Sequence, residues 1–412
     1  MKRVALLCMG LALGTATVAE AQLTMQMSNG WSFTFAGNVN AFALYDDISE
    51  GGIAATPGGI VPPADPLGGK GAFGIRTGLL PAFAVFDAKG KEGETDLSVH
   101  FGFAPQIQCG YTTGREGTSG SSVNGQGHDC FGAQIDMRQV FLTVGGSWGQ
   151  ILAGRELGLF GRQAILSDQT LFGVGATGGP AGEGTTLGRI GFGYIYPQFK
   201  AQMTYSTPAG RPGQLSIGVF QPATNPPYTT VQLPRLEAEG VYTAGNTKVW
   251  VGALAQNNKT PDVGLGDEET AFAWGGNAGV RLGSPTFSVT ATGYYGKGIG
   301  TTLMFLGGSA GTGVGGDDLR NSYGGYGQLS FTPANSKVTV AGSWGISILK
   351  AADDVEADFE TKNWLASGGI YYQATKSLKV VGEFNYAVTN DDDDATDENK
   401  EIAPAVGLML FF

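Results

Sequence analysis

The chain is short of charge, of histidine and of cysteine. Asp, Glu, Lys and Arg make up 15% of its 412 residues, against roughly 25% in an ordinary soluble domain, so a water-facing surface of normal composition is excluded. His100 and His128 are the only histidines, which leaves little material for a zinc site or a Ser-His-Asp triad. After the first twenty-odd residues no apolar run approaches the ~18–20 residues of a membrane helix, and a bundle of such helices is excluded too. The formal net charge of −11 disfavours nucleic acid, whose phosphates are bound by cationic side chains.

Glycine is what the chain has in excess, 69 residues, or about one in six against the usual ~7%. It shows no three-residue period, so collagen is excluded, and aromatic and β-branched residues are too frequent for wholesale disorder. With a mean hydropathy of −0.01, a large all-β protein remains.

At the amino terminus Lys2 and Arg3 precede the apolar stretch Val4 to Leu13, then small residues and Ala19-Glu20-Ala21. This order of charged, apolar and small segments predicts a secretory signal peptide over residues 1–21, cut before Gln22, with 22–412 as one domain. Cys8 falls in the leader. Cys109 and Cys130 are then an even pair in an exported chain, which favours a disulfide over a metal site, with free thiols as the alternative. Closing that loop restrains the unfolded chain by about 3 kcal/mol in the entropy model. At the other end Ile402, Pro404, Val406, Leu408, Leu410 and Phe412 share one face of an extended strand. This ending resembles the C-terminal signature of bacterial outer-membrane barrels, and the resemblance makes Phe412 the residue read by the barrel-assembly machinery.

Strand alternation recurs along the chain. Leu97, Val99, Phe101 and Phe103 oppose Ser98, His100 and Gly102, and Phe287, Val289, Ala291 and Tyr295 oppose Ser288, Thr290 and Thr292. Val338, Val340, Trp344 and Ile346 oppose Lys337, Thr339 and Ser343, while Leu378, Val380, Phe384 and Tyr386 oppose Lys379, Glu383 and Asn385. A soluble sandwich has the same period. The distinction lies in the faces: the apolar ones carry no charge, as lipid contact requires where a mid-membrane Lys or Arg costs about 2–4 kcal/mol. The polar ones carry too many ionisable groups for a dry core. The wet face is therefore the inside of a wide barrel.

Connection lengths alternate as well. Short turns are predicted near Lys89–Gly93, Gly145–Gly149, Thr207–Gly213, Thr243–Thr247, Gly283–Pro285, Thr332–Ser336 and Ala374–Lys376. Long connections are predicted at Asp46–Ala72, Pro105–Ala133, Glu156–Thr186, Pro222–Gln232, Asn257–Glu268, Gly298–Arg320, Ile348–Glu360 and Val388–Asn399. Seven short and eight long connections describe a 16-stranded transmembrane antiparallel β-barrel with periplasmic turns and extracellular loops. Reading Tyr196-Pro197-Gln198-Phe199 as a turn, together with one further turn, gives 18 strands as the alternative.

The stretch Met137 to Leu142, its turn to Gly149, and the following Ile151-Leu152-Ala153-Gly154-Arg155 resemble the strand, turn and strand before the constriction loop of Gram-negative general porins. Asn29 to Tyr45 resembles their first strand. The resemblance implies a homotrimer in outer-membrane lipid and lipopolysaccharide, passing small hydrophilic solutes passively, with no cofactor. It also implies that the third loop, Glu156–Thr186, folds into the pore and sets acids against wall arginines. Asp168 and Glu183 are the matching acids, and Arg76, Arg138, Arg155 and Arg189 the wall candidates, in strands or at strand ends. Spaced apolar residues from Leu157 to Leu171 allow a short helix in this loop, and Gly173 to Gly184 allow a sharp return. The other reading of the arginines is strand-to-strand salt bridging.

The acidic runs Asp391–Asp394 with Asp397 and Glu398, and Asp353, Asp354, Glu356, Asp358 and Glu360, read as solvated loop tips; the alternatives are divalent-cation binding next to the anionic outer leaflet and a weak cation preference at the mouth. Trp31, Tyr45, Tyr194, Tyr196, Tyr295, Trp344 and Phe412 suit interfacial girdles. Gly145-Gly146-Ser147-Trp148-Gly149 and Gly307-Gly308-Ser309-Ala310-Gly311 match the nucleophile-elbow pattern, but neither precedes a helical pattern. The function expected is a diffusion porin and not an enzyme. Its rivals are a substrate-selective channel of similar fold, an outer-membrane barrel hydrolase using His100 or His128, and a soluble exported sandwich.

Overall fold

The computed structural model describes residues 23–49, 56–63, 71–107, 135–179, 185–223, 232–259, 270–302, 319–352, 359–391 and 398–412. The expected signal peptide, Cys109, Cys130, His128, Glu183 and most of both acidic runs lie outside the described residues.

The strands are β1 (Leu23–Gln26), β2 (Ser32–Ile48), β3 (Gly71–Arg76), β4 (Phe83–Glu92), β5 (Thr95–Pro105), β6 (Ile135–Gly146), β7 (Gly149–Leu157), β8 (Phe199–Ser206) and β9 (Gly213–Phe220). They continue as β10 (Arg235–Ala244), β11 (Thr247–Lys259), β12 (Thr270–Gly283), β13 (Phe287–Lys297), β14 (Asn321–Phe331), β15 (Val338–Lys350), β16 (Glu360–Gln373), β17 (Leu378–Asp391) and β18 (Glu398–Phe411). Sixteen close into one antiparallel ring, and β1 and β3 stand outside it. β4 pairs with the first half of β2, from Ser32↔Lys89 to Asn38↔Phe83. β3 lies in line with β4 and pairs with the second half, from Phe42↔Arg76 to Asp47↔Gly71.

Closure occurs where β18 meets β2, with Phe411 opposite Asn38 and Glu401 opposite Ile48. The last residue is part of this seam. Gly37 donates its N–H to the Phe412 carbonyl at 2.7 Å, Phe412 donates back at 3.0 Å, and the Phe412 ring lies 5.3 Å from Phe35. An even ring brings both strand ends to the short-turn end of the barrel, where they can pair.

All seven predicted short turns join strands at one end, and the long connections lie at the other. Sixteen strands stand, because Tyr196–Phe199 is no hairpin turn: Gln198, at φ 62°, ends the third loop and Phe199 begins β8. That loop is longer than expected, 158–198 instead of ending at Thr186. Ile190, Phe192 and Tyr194 alternate with smaller residues and so imitate a strand, but Gly188, Gly191 and Gly193 hold positive φ values of 59°, 77° and 142°, which break the extended run.

The outer face is the apolar one. Ile217, Val251, Phe272, Leu329, Ile370, Phe384 and Val406 project outward, each more than half exposed, and alternate with buried Ser216, Ala271, Gln328, Glu383 and Ala405. Aromatic pairs gather towards both ends of this face. Trp148 stacks on Tyr205 at the short-turn end, while Trp274–Tyr295 and Trp364–Tyr386 sit at the long-loop end. Tyr45 and Tyr295 are exposed outside near strand ends as a girdle needs, whereas Trp344 is exposed outside at mid-strand. Tyr194 is not in a girdle, since it is buried within the third loop.

A Cβ at Gly37 would collide with the Phe83 carbonyl and meet the Phe412 ring at 2.9 Å. Gly37→Val is therefore expected to destabilise the seam by about 1–3 kcal/mol and to reduce the fraction showing the heat-modifiable gel mobility of a closed barrel. Undiminished heat-modifiability would contradict this role for the seam.

Candidate functional site

The third loop folds inside the ring. It leaves β7, forms a helix α1 (Arg162–Ser167) and a 3₁₀ turn (Gln169–Phe172), and returns through residues 185–198 to β8. The expected short helix is thus present. Its apolar residues make the loop adhere to the inner wall. Ile165, Leu171, Val174, Ile190 and Tyr194 pack with Phe42, Tyr326, Tyr371 and Met409, and Phe160 and Ile195 pack with Leu254, Ala273 and Tyr294. Part of the first long loop docks beside it. The Ile60 and Val61 N–H groups donate to Asn363 and Thr389 of the wall at 3.1 and 2.9 Å.

Wall carboxylates fix the loop's course by accepting its backbone N–H groups. Glu237 of β10 accepts from Leu159 at 2.7 Å and Phe160 at 2.9 Å. Glu383 of β17 accepts from Val174 at 2.7 Å and Gly175 at 2.8 Å, and also from the Tyr371 hydroxyl at 2.9 Å. Glu401 of β18 accepts from Thr177 at 2.7 Å, whose hydroxyl donates to Asp46 of β2 at 2.5 Å. Between them Gln328 of β14 accepts from Gln169 at 2.7 Å. Each of these acids lies on the inward side of its strand, and a buried N–H left without its acceptor costs about 1–3 kcal/mol.

The expected eyelet residues are distributed differently from the sequence reading. Asp168, expected to face the pore, has no exposed side-chain surface. It caps the 3₁₀ turn by accepting from the Thr170 N–H at 3.1 Å and the Thr170 hydroxyl at 2.5 Å, and it accepts from the Tyr194 hydroxyl at 3.0 Å. Burial and then Asp168 itself push the Tyr194 phenol well above its ordinary range, so it donates as a neutral hydroxyl. Arg189 is a loop residue and not a wall residue. Its Nε lies 3.7 Å from Asp168, both side chains fully buried, while Nη1 donates to the Leu365 carbonyl at 2.8 Å and Nη2 to the Ser343 hydroxyl. The Asp168–Arg189 pair therefore ties the outgoing arm of the loop to its returning arm and to β15 and β16. Such a buried pair is tolerated because Asp168 accepts three further hydrogen bonds and both Nη groups of Arg189 donate one, although Arg189 Nε has no hydrogen-bond partner among the described residues.

Arg76 does lie on the wall at the end of β3, within electrostatic reach of Asp46 and Glu401. It balances the two acids that hold Thr177. Arg138 stands at the β-bulge where the β5–β6 register shifts; its Nε donates to Asp136 at 2.9 Å and its guanidinium covers the Phe199 ring at 5.7 Å. Arg155 is exposed and in register with Ala201, on the outward side that carries Ile151 and Met203. The four arginines do not converge. Nor do the ion pairs Arg138–Asp136 and Asp168–Arg189 bridge strand to strand: Arg138 and Asp136 stand on the same strand, and Asp168 and Arg189 are both in the third loop.

The residues that do hold the loop, Glu237, Glu383, Glu401, Asp46 and Gln328, were not singled out for that role. Glu383 was legible as inward-facing by its alternation with Phe384 and Tyr386, but not its partner 208 positions away. His100 also faces inward, its Nδ1 2.9 Å from Asp87 and its ring stacked on Phe141 at 4.5 Å. The Gly145–Gly149 motif forms the β6–β7 turn, with no helix after it. Among the described residues no group of three or more His, Cys, Asp or Glu is arranged to hold a metal ion.

No family model and no curated protein sequence matches the chain. Solved structures do. The outer membrane channel DcaP of Acinetobacter baumannii is 14% identical, with 94% of this chain and 99% of that one aligned and a TM-score of 0.66. An anion-selective porin from Comamonas acidovorans is 12% identical over 93% of this chain and 100% of that one, at a TM-score of 0.61. Salmonella typhi OmpF is 11% identical over 93% and 100%, at a TM-score of 0.53. The fold is that of the outer-membrane porins, over nearly the whole chain.

Glu383→Ala leaves the Val174 and Gly175 N–H groups without their acceptor, at about 1.5–3 kcal/mol for each charge-assisted bond. Hydrogen exchange at these amides and proteolysis of the loop should both accelerate, with Glu383→Gln intermediate. Unchanged protection in Glu383→Ala would show that apolar packing alone holds the loop.

Proposed function

We propose that the protein is an outer-membrane porin, a water-filled channel for passive diffusion of small hydrophilic solutes filtered by size and charge. The observation that carries this reading is a ring with an apolar outside, a polar inside, and one long loop folded inward and anchored to the wall on β10, β14, β17 and β18. Such a loop narrows the bore without closing the ring, and charged and polar groups around a narrow bore select what passes. Export by a signal peptide over residues 1–21, a Cys109–Cys130 disulfide, recognition of Phe412 during assembly, and trimerisation among lipopolysaccharide belong to the same reading. Glu183 remains a candidate acid of the same loop.

The hydrolase alternative draws on the His100–Asp87 pair. Against it, the His100 Nε2 is buried and the residue is 4% exposed, so a substrate in the lumen has no route to that nitrogen. We assign His100 to the wall, and the protein to transport and not to catalysis.

Planar-bilayer recording tests the proposal. Purified, heat-modifiable protein should insert with stepwise ohmic conductance, in triplets if it is trimeric. Absence of conductance from demonstrably folded and inserted protein would overturn the channel reading.

A further inference from the structure

On the inner wall below α1, two cations are set against each other. Lys248 of β11 and Arg281 of β12 are directly opposite in the register, and both alternate with outward Val249 and Leu282, which are 40% and 49% exposed. Like charges facing each other across a strand pair are destabilising unless something offsets them. No hydrogen bond or ion pair joins either side chain to an acid among the described residues. Lys248 instead lies 5.9 Å above the Trp250 ring, which is itself fully buried.

A third cation joins them from the loop. Arg162 of α1 and Glu239 are both within electrostatic reach of Lys248. Glu239 is the acid within reach of Lys248, and it is already engaged, accepting from Arg162 Nη2 at 2.5 Å and from Gln163 at 3.0 Å. Glu156 and Glu237 also act on Arg162, and both are engaged elsewhere, Glu156 by Gln139 and the Leu157 N–H and Glu237 by loop amides and Arg235. Lys248 and Arg281 thus have no acid partner of their own among the described residues, because each acid nearby is already engaged. Arg162, Lys248 and Arg281 all remain partly exposed, so the excess charge faces water inside the barrel.

We infer that Arg162, Lys248 and Arg281 form a binding site for the carboxylate or phosphate group of a small anionic solute. This rests on the channel reading above and adds to it the sign of the preferred solute and the place where it pauses. A guanidinium and an ammonium on adjacent strands offer an oxyanion donors from two directions. Arg162 is held in place by Glu239, so the site is arranged before the solute arrives. The floor of Trp250 excludes water from one side, which strengthens the attraction.

The test is reversal-potential measurement in a KCl gradient, with inorganic phosphate as a second probe. The wild-type channel should prefer chloride to potassium, and phosphate should reduce its chloride current. In Lys248→Gln/Arg281→Gln the preference should fall by about 25-fold, about fivefold for each unit charge met at contact distance in water, and phosphate block should weaken. Lys248→Glu/Arg281→Glu should prefer potassium. Heat-modifiable mobility and single-channel steps establish that each variant is folded and open. A conducting wild type that prefers potassium, or a conducting double-Gln variant with unchanged selectivity and phosphate block, would overturn the site while leaving the channel. A folded wild type that does not conduct would overturn the channel itself.

Discussion

The interior depends on buried carboxylates accepting backbone N–H groups. A loop of some forty residues cannot be held within a barrel by apolar contact alone, since each ordered residue loses about 1–2 kcal/mol of backbone entropy and buried N–H groups need acceptors. The loop has little secondary structure of its own, one short helix and one 3₁₀ turn, so the wall must supply those acceptors. Glu237, Glu383 and Glu401 do so in chain order along the loop, at Leu159–Phe160, Val174–Gly175 and Thr177. The apolar residues between these points fill the gaps against the wall. Removing an acceptor is costly for the same reason that the arrangement is stable: the freed groups stay buried.

The barrel can supply acids to its interior because it is inside out relative to a soluble protein. Low charge content follows from an outer face that meets lipid and cannot carry it. Glycine has a comparable role at particular points. At Gly37 the chain passes too close to Phe83 and Phe412 for a side chain, and at Gly175 a positive φ of 61° turns the loop directly after the two N–H groups that reach Glu383. At Gly279 the absence of a side chain lets the Trp250 ring lie against the wall.

The barrel was legible in the sequence because its signals are local. A two-residue period is visible within any strand, and turns such as Gly93-Glu94 or Gly245-Asn246 declare themselves by composition. Strand number followed from alternating connection lengths. The return arm of the third loop was misread because Ile190, Phe192 and Tyr194 repeat the strand period while facing the wall from inside. The site was far less legible, since its contacts join positions such as Gly175 and Glu383, which sequence spacing cannot relate. Arginine identity was also a poor guide. Arg155 follows a glycine as in the resembling strand, yet the register with Ala201 turns it outward. The inward cations that matter, Lys248 and Arg281, stand on strands far from the loop in sequence.

The division of labour among the charges explains how an acidic chain can line its bore with positive charge. Formal net charge counts every residue equally, whereas a solute meets only those that face water. The inward acids are largely occupied: Glu237, Glu383 and Glu401 by loop amides, Glu156 by Gln139 and the Leu157 N–H, Glu239 by Arg162 and Gln163, and Asp87 by His100. Lys89, Arg162, Lys248, Arg281 and Lys379 keep part of their surface exposed. Holding a loop inside the barrel consumes acids as acceptors, because a backbone N–H cannot be satisfied by a cation. Among the described residues the inward charge left facing water is then mostly positive as a consequence of how the constriction is built, and the anion preference inferred above is tied to the same carboxylates that set its width.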